Sequence, residues 1–368
     1  MKWSWKIGTF AGIDVFIHAT FLLIIGWVGF SHWRQTGTLV GTLEGILFTL
    51  LLFGGVVLHE FGHALTARRY GIKTRDITLY PIGGVARLER MPDKPIQELW
   101  VALAGPAVNV FIAALLLGWL ILSNALEPLS NLSMTSGPLI ERLMLVNISL
   151  VLFNLLPAFP MDGGRVLRAL LALRLEYTRA TQIAATIGQG LALLLGFIGL
   201  FSNPSLLFIA FFVWIGAAQE ASMVQMKSAL GGIPVRRVTV TDCQSLAPQD
   251  TLERAVQLIL SGSQTDFPIV ENNVVVGVLT RNDIFAALSR QDRSTPIVTI
   301  MRRDFQVVDA NEMLEPAFAR MQACGCHSMP VTYNGRLVGL LTADNIGEFI
   351  MVQAVIRQAS RQRQSFAQ

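Results

Sequence analysis

The stretch GILFTLLLFGGVVL at 45–58 runs without a charge straight into His59-Glu60-Phe61-Gly62-His63. A helix apolar on every side belongs in a protein core or a bilayer. This one ends in two imidazoles and a carboxylate, groups that are costly at membrane depth and mark function there. On a helix, His59 and His63 lie four residues apart on one face and can grip a single Zn²⁺. The intervening Glu60 stands beside them as a general base. Such a pattern points to metallopeptidase chemistry carried by transmembrane helices.

The rest of the chain fits that placement. Of its 368 residues, 52% are hydrophobic and 15% charged, a balance suited to a polytopic membrane protein with a soluble part attached. Apolar residues dominate from 13 to 226, and Gly231-Gly232-Ile233-Pro234 reads as a linker beyond them. Six transmembrane segments are expected, near 16–31, 43–70, 96–123, 139–159, 179–201 and 205–226. Arg68, Arg69, Arg87, Arg90, Lys94, Arg165, Arg168 and Arg174 fall in the short connections on one side. The connection 123–137 has neither Lys nor Arg. By the positive-inside rule, the Arg-rich side and both termini are cytoplasmic in a multi-pass protein of the cell membrane. The net charge of +4 is dispersed over these loops, which argues against a nucleic-acid partner. Cys243, Cys324 and Cys326 lie in the soluble part without zinc or secreted-disulfide spacing, and are expected as thiols in a reducing compartment.

Two further features need explaining. Residues 77–88, ITLYPIGGVARL, alternate polar and apolar and contain a Gly pair, which predicts a short membrane-associated β-hairpin. Irregular backbone at that depth must line a protein cavity, and an unpaired strand edge there could accept an extended peptide. Beyond the linker, VVGVLTRNDIF at 275–285 is echoed by LVGLLTADNIG at 337–347. Each is preceded by a helical stretch and a strand, so two helix–strand–strand–helix units are expected to pack together.

A catalytic zinc takes three protein ligands and leaves a position for water. Asp162 is the candidate for the third, in FNLLPAFPMDGG at 153–164, after two helix-breaking prolines and before two glycines.

HEFGH with a distant NLLPAFPMDGG resembles the site-2 protease family of intramembrane zinc metalloproteases. With the paired repeats, the chain looks like the prokaryotic branch that carries CBS domains. The resemblance implies His59, His63 and Asp162 as zinc ligands and Glu60 as the catalytic glutamate. Gly83 and Gly84 resemble the family's membrane-embedded Gly-Gly strand. Asn109, in AGPAVN at 104–109, and Asn154 would hold the substrate backbone or the oxyanion. Thr280 and Asp283 fit the Thr-x-x-Asp signature by which CBS pairs bind the ribose of an adenine nucleotide, here ATP, ADP or AMP. The second repeat has Asn345 where that Asp belongs, so one nucleotide site is expected.

The expected architecture is an α-helical polytopic membrane domain of about six transmembrane helices with a β-hairpin, plus an α/β tandem CBS module. Its divisions are 1–230, CBS repeats at 231–295 and 296–350, and a polar tail at 351–368, of which 357–368 is expected to be disordered. The expected activity is zinc-dependent endoproteolysis of single-span membrane proteins within or near their transmembrane segment. A CBS pair would regulate it, with homodimerisation through those domains. A CBS-regulated transporter or channel, or an inactive membrane scaffold, is the alternative. The transporter or channel does not explain HExxH together with a distant Asp-Gly-Gly, and the intact Glu60 speaks against the scaffold.

Overall fold

The computed structural model describes all residues except 1–2, 82, 93, 127–132, 134–136 and 366–368. Part of the 123–137 connection and the last three residues of the tail therefore lie outside the described residues. The chain forms two compact units, Met1–Val224 and Gln225–Gln368.

The first unit opens with two strands, β1 (Ser4–Phe10) and β2 (Ile13–His18), and then α1 (Phe21–Thr36) and α2 (Leu39–Arg69). Gly37 ends α1 in the left-handed conformation, and the Thr38 side chain caps α2 by accepting from Gly41 N. The predicted hairpin follows as β3 (Thr74–Tyr80) and β4 (Gly83–Leu88). It is half of a four-stranded sheet of order β1-β2-β3-β4, in which β2 and β3 run parallel and the outer pairs antiparallel. Residues 16–18, expected to begin the first span, thus belong to a strand. Their period-2 pattern and their pairing with β3 prevail over bulk hydropathy. The sheet packs on the C-terminal third of α2, where Ile13, Ile77, Ala64 and Phe61 share a cluster.

Five more helices complete the helical part: α3 (Pro95–Leu122), α4 (Leu139–Asn154), α5 (Asp162–Ala172), α6 (Tyr177–Phe201) and α7 (Ser205–Leu230). Among the described residues, α2, α3, α6 and α7 are long and apolar enough to cross a membrane. The other two expected spans form 16-residue helices, α1 and α4, each about 24 Å long and short of a full hydrocarbon crossing at right angles. Between α4 and α5 the chain packs tightly: Ala158 and Phe159 are buried against residues of α6 and α7. A Cβ on Gly163 would lie 2.2 Å from Leu156 O, so only glycine lets α5 begin this close to the preceding loop.

The second unit contains α8 (Leu252–Ser261), β5 (Phe267–Glu271), β6 (Val274–Leu279) and α9 (Arg281–Leu288). The second repeat follows as β7 (Val308–Asp309), α10 (Leu314–Cys324), β8 (Ser328–Tyr333), β9 (Arg336–Thr342) and α11 (Ala343–Ser365). The helix–strand–strand–helix order is the one the repeat predicts. Packing does not follow chain order, however. Leu230, Ile233, Val235 and Val238 are buried in the core of the second repeat, tied there by Val235 N to Glu312 O and Leu314 N to Ile233 O. Ile297 instead closes the core of the first repeat. The segment read as a linker is therefore an integral part of the fold. Helix α11 carries the segment expected as a disordered tail as far as Ser365. Cys324 and Cys326 are joined by a disulfide rather than held as thiols, across Gly325 in the left-handed conformation that ends α10. Cys243 is free.

Candidate metal centre

Helix α2 brings His59 and His63 to one face, and the N-terminus of α5 brings Asp162 to meet them. The two Nε2 atoms are 3.0 Å apart, and Asp162 Oδ2 is 3.1 Å from each. All three residues are buried, at 6%, 4% and 7% exposure. Among the described residues these three form the group able to hold a metal ion.

The hydrogen bonds on the far side of each ring decide what the near side can bind. His63 Nδ1 is 2.7 Å from Val101 O of α3, a pure acceptor, so that nitrogen carries the proton. His59 Nδ1 is 2.5 Å from Asn109 Oδ1, also on α3. Both Nε2 atoms are then bare lone pairs, and they converge with a carboxylate oxygen. Three acceptors facing one another need a cation between them, and this donor set of two imidazoles and one carboxylate suits zinc. Space for the ion is kept by Gly105 of α3, whose Cβ would lie 2.2 Å from His63 Nε2 and 2.6 Å from His59 Nε2. On both counts the residues fit the metal.

Glu60, half-buried, faces the sheet. Its Oε2 accepts a hydrogen bond from Ala86 N of β4 at 3.2 Å. Gly84 of β4 lies so close that a Cβ there would meet Glu60 Cγ at 2.9 Å. The carboxylate is thus held between α2 and an edge strand of the sheet. Gly83 precedes it with φ of +141°, a backbone that side-chain-bearing residues rarely adopt.

Asp162 is itself braced. Its Oδ1 faces Arg165 at 3.8 Å. One helical face further on, Arg168 is fully buried and binds Glu98 of α3 and Glu220 of α7, with Phe159 and Tyr177 against its guanidinium. Arg168 was expected in a cytoplasmic loop, since its charge resembles that of its neighbours Arg165 and Arg174. Nothing local distinguishes it, because its partners lie 70 and 52 residues away. Asn154 ends α4, and among the described residues no hydrogen bond joins it to the cluster. Asn109 is fully buried behind His59, positioned to orient that ring.

The model of peptidase family M50 matches residues 47–138 and 130–195, and the CBS domain model matches 235–290 and 297–351. A zinc metalloprotease of Methanocaldococcus jannaschii is 36% identical over 281 residues, 76% of this chain and 78% of the relative. The chain belongs to peptidase family M50. It is a membrane metallopeptidase carrying a CBS pair. Stage IV sporulation protein FB of Bacillus subtilis is 29% identical over 169 residues, 46% of this chain and 54% of the relative. Among solved structures, the site-2 protease from M. jannaschii is 39% identical, with a TM-score of 0.44, covering 60% of this chain and 95% of that one.

In the CBS unit, Thr280 caps α9 and forms a reciprocal capping box with Asp283. Both Asp283 oxygens are engaged by Arg302, from Nε and Nη2 at 2.8 Å each. Burial alone would raise the Asp283 carboxyl, but the hydrogen bonds from Arg302 and Thr280 outweigh it and hold it below the usual carboxylate range. A cavity of about 320 Å³ opens beside them, lined in part by Thr280, Arg281, Asn282 and Arg302 together with Asp266 and Asp304. A second, of about 340 Å³, is lined by Asp242, Asp266, Asp344, Asn345 and Glu348, without Lys or Arg.

Proposed function

We propose that this M50 peptidase cleaves single-span membrane proteins within or near their transmembrane segment, with Zn²⁺ held by His59, His63 and Asp162 and Glu60 as general base. The convergence of two histidine lone pairs and a carboxylate oxygen beside Glu60 is the observation that carries this reading. Bound zinc would supply Lewis-acid polarisation of the scissile carbonyl and an acidified water. Glu60 takes the proton of the attacking water and returns it to the leaving nitrogen.

The substrate is an extended segment that adds to the free edge of β4 at Gly83 and Gly84. Main-chain pairing supplies affinity there without demanding particular side chains. Since Ala86 N on that edge already holds Glu60, an incoming strand lies beside the base. A transmembrane helix must unwind to reach this position, because its peptide bonds are otherwise shielded by their own turn. Asn154, unengaged by the metal ligands, is the remaining candidate to hold the substrate backbone. Asn109 is left out of that role by its bond to His59. The protein is multi-pass, with both termini and the CBS pair in the cytoplasm, as the distribution of Arg and Lys supports.

The CBS pair takes one adenine nucleotide, in the cavity lined by Thr280, where Arg281 and Arg302 suit phosphates. Asp283 reaches the ribose only when Arg302 releases it. The acid-lined second cavity repels polyphosphate, in keeping with Asn345 at its ribose position.

The test compares membrane proteomes of cells carrying the wild-type chain or Glu60→Gln. A small set of single-span proteins accumulating uncleaved, and co-purifying with the variant, is expected. Identical proteomes, with zinc bound equally by both proteins, would sink the proteolytic reading.

A further inference from the structure

The bond between His59 and Asn109 continues into a third helix. Asn109 Nδ2 donates to Asn147 Oδ1 of α4 at 2.9 Å, and Asn147 Nδ2 donates to Leu143 O at 2.8 Å. All of the side chains involved are buried, Asn109 completely and Asn147 at 4% exposure.

We propose that Asn147, acting through Asn109, is the positioning residue that fixes His59 in the tautomer a metal requires. An amide has one donor end and one acceptor end, and a buried amide must match both. Leu143 O can only accept, so it orients Asn147 with nitrogen toward Leu143 and oxygen toward Asn109. That oxygen in turn demands the nitrogen of Asn109, which leaves Asn109 Oδ1 facing His59. His59 must then carry its proton on Nδ1 and expose a bare Nε2. A backbone carbonyl on α4 thereby dictates the protonation pattern of a ligand on α2, through two amides and without any charged group. His63 receives the same instruction directly from Val101 O. The partner of a metal-bound histidine commonly sets ring orientation and tautomer. Here it is an amide, which is ambiguous until something orients it.

The proposal rests on the metallopeptidase reading of the site, and its test separates the two. Zinc affinity of the full-length, detergent-purified chain is measured by competition with a chelator. Asn147→Leu is expected to weaken zinc about 10-fold, because Asn109 is then free to flip. Asn109→Asp supplies an acceptor that needs no orientation and is expected to retain zinc. In the Asn109→Asp background, adding Asn147→Leu should cost nothing further. An equal loss from Asn147→Leu in both backgrounds would reduce Asn147 to packing, and no loss in either would remove it from the site. A wild-type chain that takes up no zinc would instead overturn the metal reading itself.

A second measurement needs no folded variant of Asn147. In zinc-free protein carrying Asp162→Ala, which removes the carboxylate 3.1 Å from His59 Nε2 that would otherwise compete for the proton, and labelled with ¹⁵N-histidine, His59 should carry its proton on Nδ1 at a pH where the ring is neutral. Its signal is assigned by difference from a His59→Gln sample. A proton on Nε2 would overturn the relay. Where Asn147→Leu does fold, it should show a mixture of tautomers, which a purely structural role would not produce.

Discussion

Gly105→Ala tests the metal centre without touching a ligand. A Cβ at this position would sit 2.2 Å from His63 Nε2 and 2.6 Å from both His59 Nε2 and His63 Cε1. The shortest of these falls about 1.2 Å short of ordinary van der Waals contact. The rings cannot simply swing aside, because Val101 O and Asn109 hold their Nδ1 atoms from the same helix that carries the new methyl. Nor can α3 back away without loss, since it meets α2 nearly backbone to backbone at Gly62 and Ala104. Zinc sites tolerate departures of about 0.2 Å in ligand distance, so a shift several times larger removes at least one ligand. Loss of an outer partner alone costs roughly 10–100-fold in affinity. Displacing a ligand atom should exceed that, and we expect zinc affinity to fall at least 100-fold, with cleavage falling in step. The assay is zinc per chain after purification, followed by chelator competition, with thermal unfolding to show that the fold survives. Gly118→Ala on the same helix, where a Cβ meets nothing within 4 Å, serves as the control and should bind zinc normally. If Gly105→Ala binds zinc within a few-fold of wild type, the ion does not sit against the two Nε2 atoms and the site is wrongly drawn.

Glu60→Gln should keep zinc and lose cleavage by roughly 10²–10⁴-fold, the usual contribution of a general base; parallel loss of zinc would make Glu60 a structural residue. Arg168→Met leaves Glu98, 2% exposed in its side chain, as a buried charge without its cation; a loss of about 3–5 kcal/mol is expected in denaturant unfolding, and a neutral result would mean the triad does not brace α5. Asp283 is held below the usual carboxylate range, so its stabilisation is present above that range and disappears as pH falls through its folded value. The gap in unfolding temperature between wild type and Asp283→Asn should therefore be widest at neutral pH and close only as pH falls below the usual carboxylate range; a gap independent of pH would show that its charge contributes nothing.

What could be read from the chain alone divides along a physical line. His59, Glu60 and His63 were legible because their spacing is the helical period itself, and Asp162 because Pro and Gly isolate it from any competing helix. The repeat in the CBS unit was legible for a similar reason, since it states its own periodicity twice. Strand β2 was hidden because Ile13, Val15, Phe16 and Ile17 add to a hydropathy window regardless of their alternation. The turn joining it to β1 also uses Ala11-Gly12, both at positive φ, where Asn-Gly would have announced a hairpin. The burial of Arg168 and of the segment 230–238 depends on partners dozens of residues away, which no local pattern reports.

Asn109 shows the division most sharply. An amide in an apolar helix declares that it has a partner, but whether that partner is a substrate or a ligand's far side depends on the helix it faces. One signal bearing on this lies in the sequence of α3 itself. Val101, Gly105 and Asn109 recur every four residues along α3, which places them in a single row on one face. That row offers a carbonyl, a gap and an amide at the same interval that separates His59 from His63. Two rows of period four, packed side by side, let one helix hold both rings by their far nitrogens while leaving room for an ion between the near ones. The candidate metal site is therefore a property of the α2–α3 pair as much as of HExxH, and α3 shapes it without placing a side chain among His59, His63 and Asp162.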